Sequence, residues 1–428
     1  MWHREKWVGC ALAGALLAGG PALAGPDLPP GDGSDVNNAR LLPDYYPDDG
    51  GLVVPGIGAS GLREPYDPAF DVDWSVSLRG SYAKTGDEET LQILSVPSVT
   101  LTHQGSRSQL TGTASADITQ PIDGDIDITG LRLGLEGGYQ LDSLTALSAN
   151  LDIEVTQDLP GTPGLATDER LGPETFNGTA GVGIDRQFGR FNLGVSGEAS
   201  RVAYGDTTLN DGTLVNNEDQ AYWALDGALR LGFQATPIFE VFTEAGVGRE
   251  YFDLPSSVLL ARQDATNSSI KAGVVGRWNG ILEAEASMGL GLRRFDAASL
   301  GEITSRLYDA RISFTPDPTW RFTAALSTVV APPEPGKDGT TTTEYAVTGT
   351  ADYTVNSWLA LRAMANWHTD EIDDGLAGES GYGLGAGADY QVNAHTDLSA
   401  DYEFERNKAT SGTVEDSHRV TLGITLQR

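Results

Sequence analysis

Between Ala221 and Gly248 the chain alternates with a period of two. Ala221, Trp223, Leu225, Gly227, Leu229, Leu231 and Phe233 form one set, and Tyr222, Ala224, Asp226, Ala228, Arg230 and Gly232 fall between them. After Gln234-Ala235-Thr236-Pro237 the alternation restarts as Phe239, Val241, Thr243, Ala245 and Val247, with Glu240, Phe242, Glu244, Gly246 and Gly248 interleaved. Successive side chains of a strand project to opposite sides, so this period means extended strands with two unlike faces. One face is aliphatic and aromatic; the other is small, polar and charged. Charges of that density do not suit the packed core of a soluble protein. They suit a strand that meets hydrocarbon on one side and water on the other.

The same pattern recurs in about eighteen segments between Asp71 and Gln427. It predicts an all-β fold, a transmembrane antiparallel up-and-down β-barrel of about 18 strands over residues 71–428, with both termini on one side because the number is even. The connections alternate in length. Short ones carry turn chemistry: Gln104-Gly105-Ser106, Phe188-Gly189, Asn279-Gly280, Pro316-Asp317-Pro318 and Asn393. Long ones cover 158–173, 204–218, 252–266 and 331–341. Short turns on one rim and long loops on the other place the short turns and the N-terminus in the periplasm of a Gram-negative cell. No fixed-length repeat of a propeller or solenoid is present. No run of 18 apolar residues occurs, so the sequence offers no membrane-spanning helix.

The N-terminus reads as a secretory signal over residues 1–24: Arg4 and Lys6, an apolar stretch from Val8 to Gly20, and the small-residue site Ala22-Leu23-Ala24. Cys10, the single cysteine, lies inside it, so disulfides play no part in the predicted mature chain. Residues 25–70 are rich in Pro, Gly and Asp and are expected to be irregular, either a periplasmic leader or a segment plugging the lumen. The chain carries 60 Asp plus Glu against 28 Lys plus Arg. That balance argues against nucleic acid as a partner and against a polybasic membrane patch.

Alternation also sorts individual residues. The aromatics Trp74, Tyr139, Trp223, Phe233, Phe239, Tyr251, Trp278, Trp320, Trp367 and Tyr390 fall on the apolar parity, most of them near strand ends, and are expected at the membrane–water interface. The implied partners are outer-membrane lipid and lipopolysaccharide. Arg201 and Arg249 sit on the same face near the loop side, within reach of lipid or lipopolysaccharide phosphates. The opposite parity carries the lumen-facing candidates Asp152, Glu154, Arg230, Glu240, Glu244, Lys271, Glu283, Glu285, Arg311, Arg321, Arg362, Asp401 and Glu403. Both signs occur, so the expectation is a field across the pore rather than a single-sign barrier.

No catalytic, cofactor or metal site is assigned, and the chain is expected not to be an enzyme. The five histidines have no metal-ligand spacing. His368 with Asp370 reads as a solvated rim pair. Asp123-Gly124-Asp125-Ile126-Asp127 begins like a calcium loop, but Ile128 stands where glycine is needed and Gly134 where the closing Glu belongs. Asp370-Glu371-Ile372-Asp373-Asp374 reads as an acidic loop, with loose divalent-ion binding between lipopolysaccharides as the sharper alternative.

Tyr66-Asp67-Pro68, Gly130-Leu131-Arg132-Leu133-Gly134, Phe191 to Gly197, Leu229 to Phe233, Gly248 to Asp253 and Arg419 to Gln427, taken together and in this order, resemble the putative β-barrel porin type 2 family. The resemblance covers residues 66–428. It implies an outer-membrane barrel linked with exopolysaccharide production, hence passage or export of glycan, with polysaccharide or export-complex proteins as partners. No catalytic residues carry over. The closing strand, Val420, Leu422, Ile424 and Leu426 around Gly423, also resembles the sorting signal read by the barrel-assembly machinery, without its usual terminal aromatic. Two functional readings follow: passage of hydrophilic solute through the lumen, or a non-conducting structural or assembly component of an envelope polysaccharide-export system.

Overall fold

A computed structural model describes residues 70–86, 88–122, 124–157, 169–333, 335, 339–373, 376–409 and 412–428. The expected signal (1–24), the irregular segment up to residue 69 with its Tyr66-Asp67-Pro68 motif, and Asp123 and Asp374 lie outside the described residues. The strands are β1 (Asp71–Thr85), β2 (Glu88–Gln104), β3 (Ser108–Pro121), β4 (Asp127–Asp142), β5 (Thr145–Gln157), β6 (Glu169–Leu171), β7 (Glu174–Phe188), β8 (Phe191–Tyr204), β9 (Thr207–Leu209), β10 (Leu214–Val215), β11 (Tyr222–Thr236), β12 (Phe239–Phe252), β13 (Ala265–Trp278), β14 (Leu282–Phe295), β15 (Glu302–Asp317), β16 (Trp320–Ala331), β17 (Thr342–Asn356), β18 (Leu359–Ile372), β19 (Leu376–Asn393), β20 (Thr396–Lys408) and β21 (Val414–Gln427).

Eighteen of these form one antiparallel sheet, while β6, β9 and β10 form a separate three-stranded sheet in the long connections beside β8. The large sheet closes on itself: β1 pairs with β21 from Ser75 opposite Gln427 to Thr85 opposite Ser417. Closure leaves no free edge strand at that seam, which is the condition for placing a sheet in hydrocarbon.

The tight rim follows from local turn chemistry. Asn279 and Gly280 both have positive φ, 49° and 68°, as a type I′ connection requires. At the β15–β16 turn, the Asp317 carboxylate accepts from the backbone N–H of Thr319 at 2.8 Å and of Trp320 at 3.2 Å.

The two faces sort as their side chains dictate. Leu78, Leu229, Met288, Leu384 and Leu422 are exposed on the outside, and so are all ten of the aromatics expected there, from Trp74 to Tyr390. The buried apolar side chains lie elsewhere. Ala265, Phe295 and Ile303 cluster with Leu300 at the long-loop end, where the 296–301 connection folds against the wall. One seam is shorter than its neighbours. The β15–β16 ladder runs from Ala310 opposite Leu326 to Asp317 opposite Trp320 and stops there. The flanking ladders continue to Arg294 opposite Glu302 and to Ala331 opposite Thr342.

If the outer face lies in hydrocarbon, Leu229→Arg, in the middle of β11, is expected to cost about 2–4 kcal/mol of stability. The denaturant midpoint of the heat-modifiable gel band should fall accordingly. Ala228→Ser, one residue away on the inner face, should leave it nearly unchanged.

Candidate functional site

The inner wall is organised in rows of directly opposed residues. One row runs Gly138, Ser148, Gly183, Ser196, Ala228, Gly246, Ser269, Gly291 and Ser305 across β4 to β15. All are small. The next row toward the long-loop rim is Glu136, Asn150, Gly181, Glu198, Asp226, Gly248, Asn267 and Arg293. On the other side lie Asp185, Gly194, Arg230, Glu244, Lys271, Gly289 and Leu307. A band of small residues between two polar rows widens the bore at that level. A cavity of about 520 Å³ occupies it, lined by residues from Thr111 on β3 to Val330 on β16.

Glycine in the polar row has a further effect. A Cβ on Gly248 would stand 2.0 Å from Asp226 Oδ1, and one on Gly181 would stand 2.3 Å from Asn150 Oδ1. These polar side chains lie sideways over their glycine neighbours, flat against the wall instead of across the bore.

Most cations of the wall are held by carboxylates. Arg132 donates to Glu154 at 2.8 Å and to Asp117 at 2.5 Å. Lys271 sits 3.2 Å from both Glu244 and Asp309. Arg277 reaches Glu240 at 3.5 Å and Glu283 at 3.2 Å. Arg362 reaches Asp401 at 2.6 Å and Asp389 at 3.1 Å. Arg230 and Arg311 share Glu285, at 2.8 and 3.7 Å, and Arg230 also covers the ring of the inward-facing Phe242 at 3.6 Å. Glu403 holds Arg419 at 3.6 Å. Arg321 lies opposite Asp352 in the ladder, with no ion pair among the described residues.

The carboxylates are in surplus. Among the described residues Glu136, Glu198 and Asp226 form no ion pair, and Asp152 accepts only an amide hydrogen bond, from Asn150 at 3.2 Å. All four line the cavity. Both signs are present on the wall; most of its cations are paired with carboxylates, and these four acids are not. In the ladders the lumen candidates alternate with the exposed apolar residues of their strands. Glu136, Glu198 and Asp226 share that parity but were not among the candidates, because which acids lack a cation depends on cross-strand register.

The most enclosed pair of the wall, Glu250 with Arg293, was also missed. Arg293 donates to Glu250 through both terminal nitrogens, at 3.1 and 2.5 Å, and Asn267 adds a third hydrogen bond at 2.7 Å. Their side chains are 5% and 1% exposed. The signal was available, since both residues lie on the inward parity near the loop ends of their strands.

Arg201 and Arg249, expected to reach phosphates, are engaged by loop carboxylates instead. Arg201 pairs with Asp253 at 2.6 Å and lies over Trp223; Arg249 pairs with Asp296 and lies over Tyr251. Asp296 stands outside the strands, and its hydrogen bonds from Arg249 hold its carboxyl below the usual carboxylate range. The loop connections are thereby fastened to the outer rim by charge and to the inner wall by the Ala265–Phe295–Ile303 cluster.

A family model described as putative beta-barrel porin 2 matches residues 79–428. The chain belongs to that family. It is a porin-like β-barrel of the outer membrane. No curated protein matches it. Among solved structures it is similar to the outer membrane protein OpdK from Pseudomonas aeruginosa, at 12% identity and a TM-score of 0.40, over 84% of this chain and 99% of that one. It is similar also to OpdL from the same organism, at 10%, 0.42, 84% and 99%. A third is a loop-deletion mutant of OmpT from Vibrio cholerae, at 14%, 0.31, 84% and 100%.

Removing one partner of an enclosed ion pair strands the other charge. Glu250→Ala is expected to cost about 3–5 kcal/mol, whereas Glu250→Leu combined with Arg293→Met should cost far less. Unfolding midpoints in detergent, read by circular dichroism, check the difference.

Proposed function

We propose that this barrel passes hydrophilic solutes across the outer membrane and favours cations over anions. The observation that carries the reading is the set of carboxylates without counter-ions among the described residues, Glu136, Asp152, Glu198 and Asp226, along a bore most of whose cations are already paired. Acid-lined constrictions attract cations and repel anions, and conduction also needs contacts weak enough to release the solute. Side chains lying flat against the wall beside a row of Gly, Ser and Ala suit weak, repeated contacts. Physiological salt screens charge over about 8 Å, so the preference should fade as salt rises. The outward aromatics would anchor the barrel at the two interfaces, with lipid and lipopolysaccharide around it. The short turns and N-terminus would face the periplasm, after export directed by residues 1–24 and insertion by the barrel-assembly machinery.

Polysaccharide export, the cargo implied by the family resemblance, predicts a different phenotype. A deletion strain would hold polymer in the periplasm while uptake of small cations stays normal. A non-conducting structural or assembly role in an envelope polysaccharide-export system predicts no conductance at all.

In planar bilayers under a tenfold KCl gradient, the full mature chain should conduct with a reversal potential of the sign set by potassium. Replacing Glu198→Gln, Asp226→Asn and Asp152→Asn together should move that potential toward zero, with single-channel conductance changing less. Conductance without selectivity, or selectivity for chloride, would overturn the cation preference. Absence of conductance in both forms would overturn transport.

A further inference from the structure

The seam between β15 and β16 is incomplete. Six opposed pairs join these strands, against thirteen between β14 and β15 and twelve between β16 and β17. Beyond Ala310 and Leu326, toward the long-loop rim, side chains replace the ladder. The Thr328 hydroxyl accepts from the backbone N–H of Tyr308 at 2.9 Å and donates to its carbonyl at 2.8 Å. The Tyr345 hydroxyl donates to the carbonyl of Arg306 at 3.3 Å.

The parity of the next contacts reveals where the hairpin has gone. Thr328, Val330, Thr343 and Tyr345 belong to the outward parity of β16 and β17, which elsewhere carries Trp320, Phe322, Val347 and Tyr353. Ser305 and Leu307 belong to the inward parity of β15. Yet the Ser305 and Thr343 hydroxyls are hydrogen-bonded at 2.9 Å, both residues are buried, and Val330 lines the cavity alongside Ser305 and Leu307. An outward face can meet an inward face only if Thr328 to Ala331 and Thr342 to Tyr345 lie on the inner side of β15.

The sequence of that end suits the wall equally well. Continued in register from Ala310 opposite Leu326, Asp309, Leu307 and Ser305 would oppose Ser327, Val329 and Ala331 on the inside. Tyr308 and Arg306 would then oppose Thr328 and Val330 on the outside. The period of two is unbroken in both positions. The observed, tucked position is held by the side-chain hydrogen bonds above, and the wall position would be held by ladder hydrogen bonds.

We propose that the paired strand ends Thr328 to Ala331 of β16 and Thr342 to Tyr345 of β17 act as a gate, lying in the lumen in the closed state and zipping onto β15 to complete the wall in the open state. The inference rests on the transport reading for its conductance readout, while its two positions are measurable without it. Two cysteine pairs test it in the full mature chain, which has no other cysteine if the leader carrying Cys10 is removed. Ser305→Cys with Thr343→Cys joins groups that touch in the tucked position. Leu307→Cys with Val329→Cys joins a pair that is directly opposed, at disulfide-compatible spacing, only in the zipped wall.

Both pairs are expected to crosslink in membranes under mild oxidant, each on its own protein. The first should lower single-channel conductance severalfold and abolish switching between levels; the second should hold the higher level. Reductant should restore switching in both. Failure of the first pair to crosslink would show that the hairpin does not lie in the lumen. Failure of the second alone would make the hairpin a fixed constriction. Crosslinks that form without altering conductance would show that the hairpin does not gate. A protein that crosslinks both ways but never conducts would keep the two positions and remove the transport reading instead.

Discussion

Every backbone polar group that enters hydrocarbon must be paired within the protein, and the rest of this structure depends on that requirement. A strand cannot pair with itself, so the chain must supply neighbours all the way round. The β1–β21 ladder is what converts seventeen hairpin-adjacent pairings into a wall without an edge. Once closed, the wall needs no apolar core. Its outer side chains are solvated by lipid and its inner ones by water. The buried cluster of Ala265, Phe295 and Ile303 fastens a connection to the wall rather than filling a centre.

The wall was legible in the sequence because each of its physical requirements has a local signature. Outside and inside alternate along one strand, so Trp223, Leu225, Leu229 and Leu231 declare a lipid face without reference to any other strand. The turns are equally local: Asn279-Gly280 adopts consecutive positive φ angles because those two residues tolerate them at little cost. Strand number and chain direction follow from counting such units.

The charge state of the lumen was not legible, for an equally physical reason. Whether Lys271 neutralises Glu244 or leaves it free depends on a neighbour from the next strand, and Arg230 reaches Glu285 across two intervening strands. Inward carboxylates can be read from parity alone; their surplus appears only after register pairs off the cations. Loops repeat the lesson. Arg249 looked available to a phosphate because Asp296, its partner, lies 47 residues further along the chain.

The seam marks the limit of reading by alternation, because the hairpin's two positions have the same period. A barrel of fixed strand number and shear has a fixed circumference, so its wall cannot dilate to regulate passage. The bore can change only if something inside it moves, or if a ladder opens and lends a strand to the interior. Here both descriptions apply to one element. The segment missing from the β15–β16 ladder is the segment that borders the cavity, and Thr328 caps the exposed backbone of Tyr308 where a strand would otherwise have paired. A side chain that satisfies an edge in the open seam keeps the tucked position from carrying the full penalty of an unpaired wall in lipid. That is the energetic condition for two positions of comparable stability in a structure whose other ladders admit one.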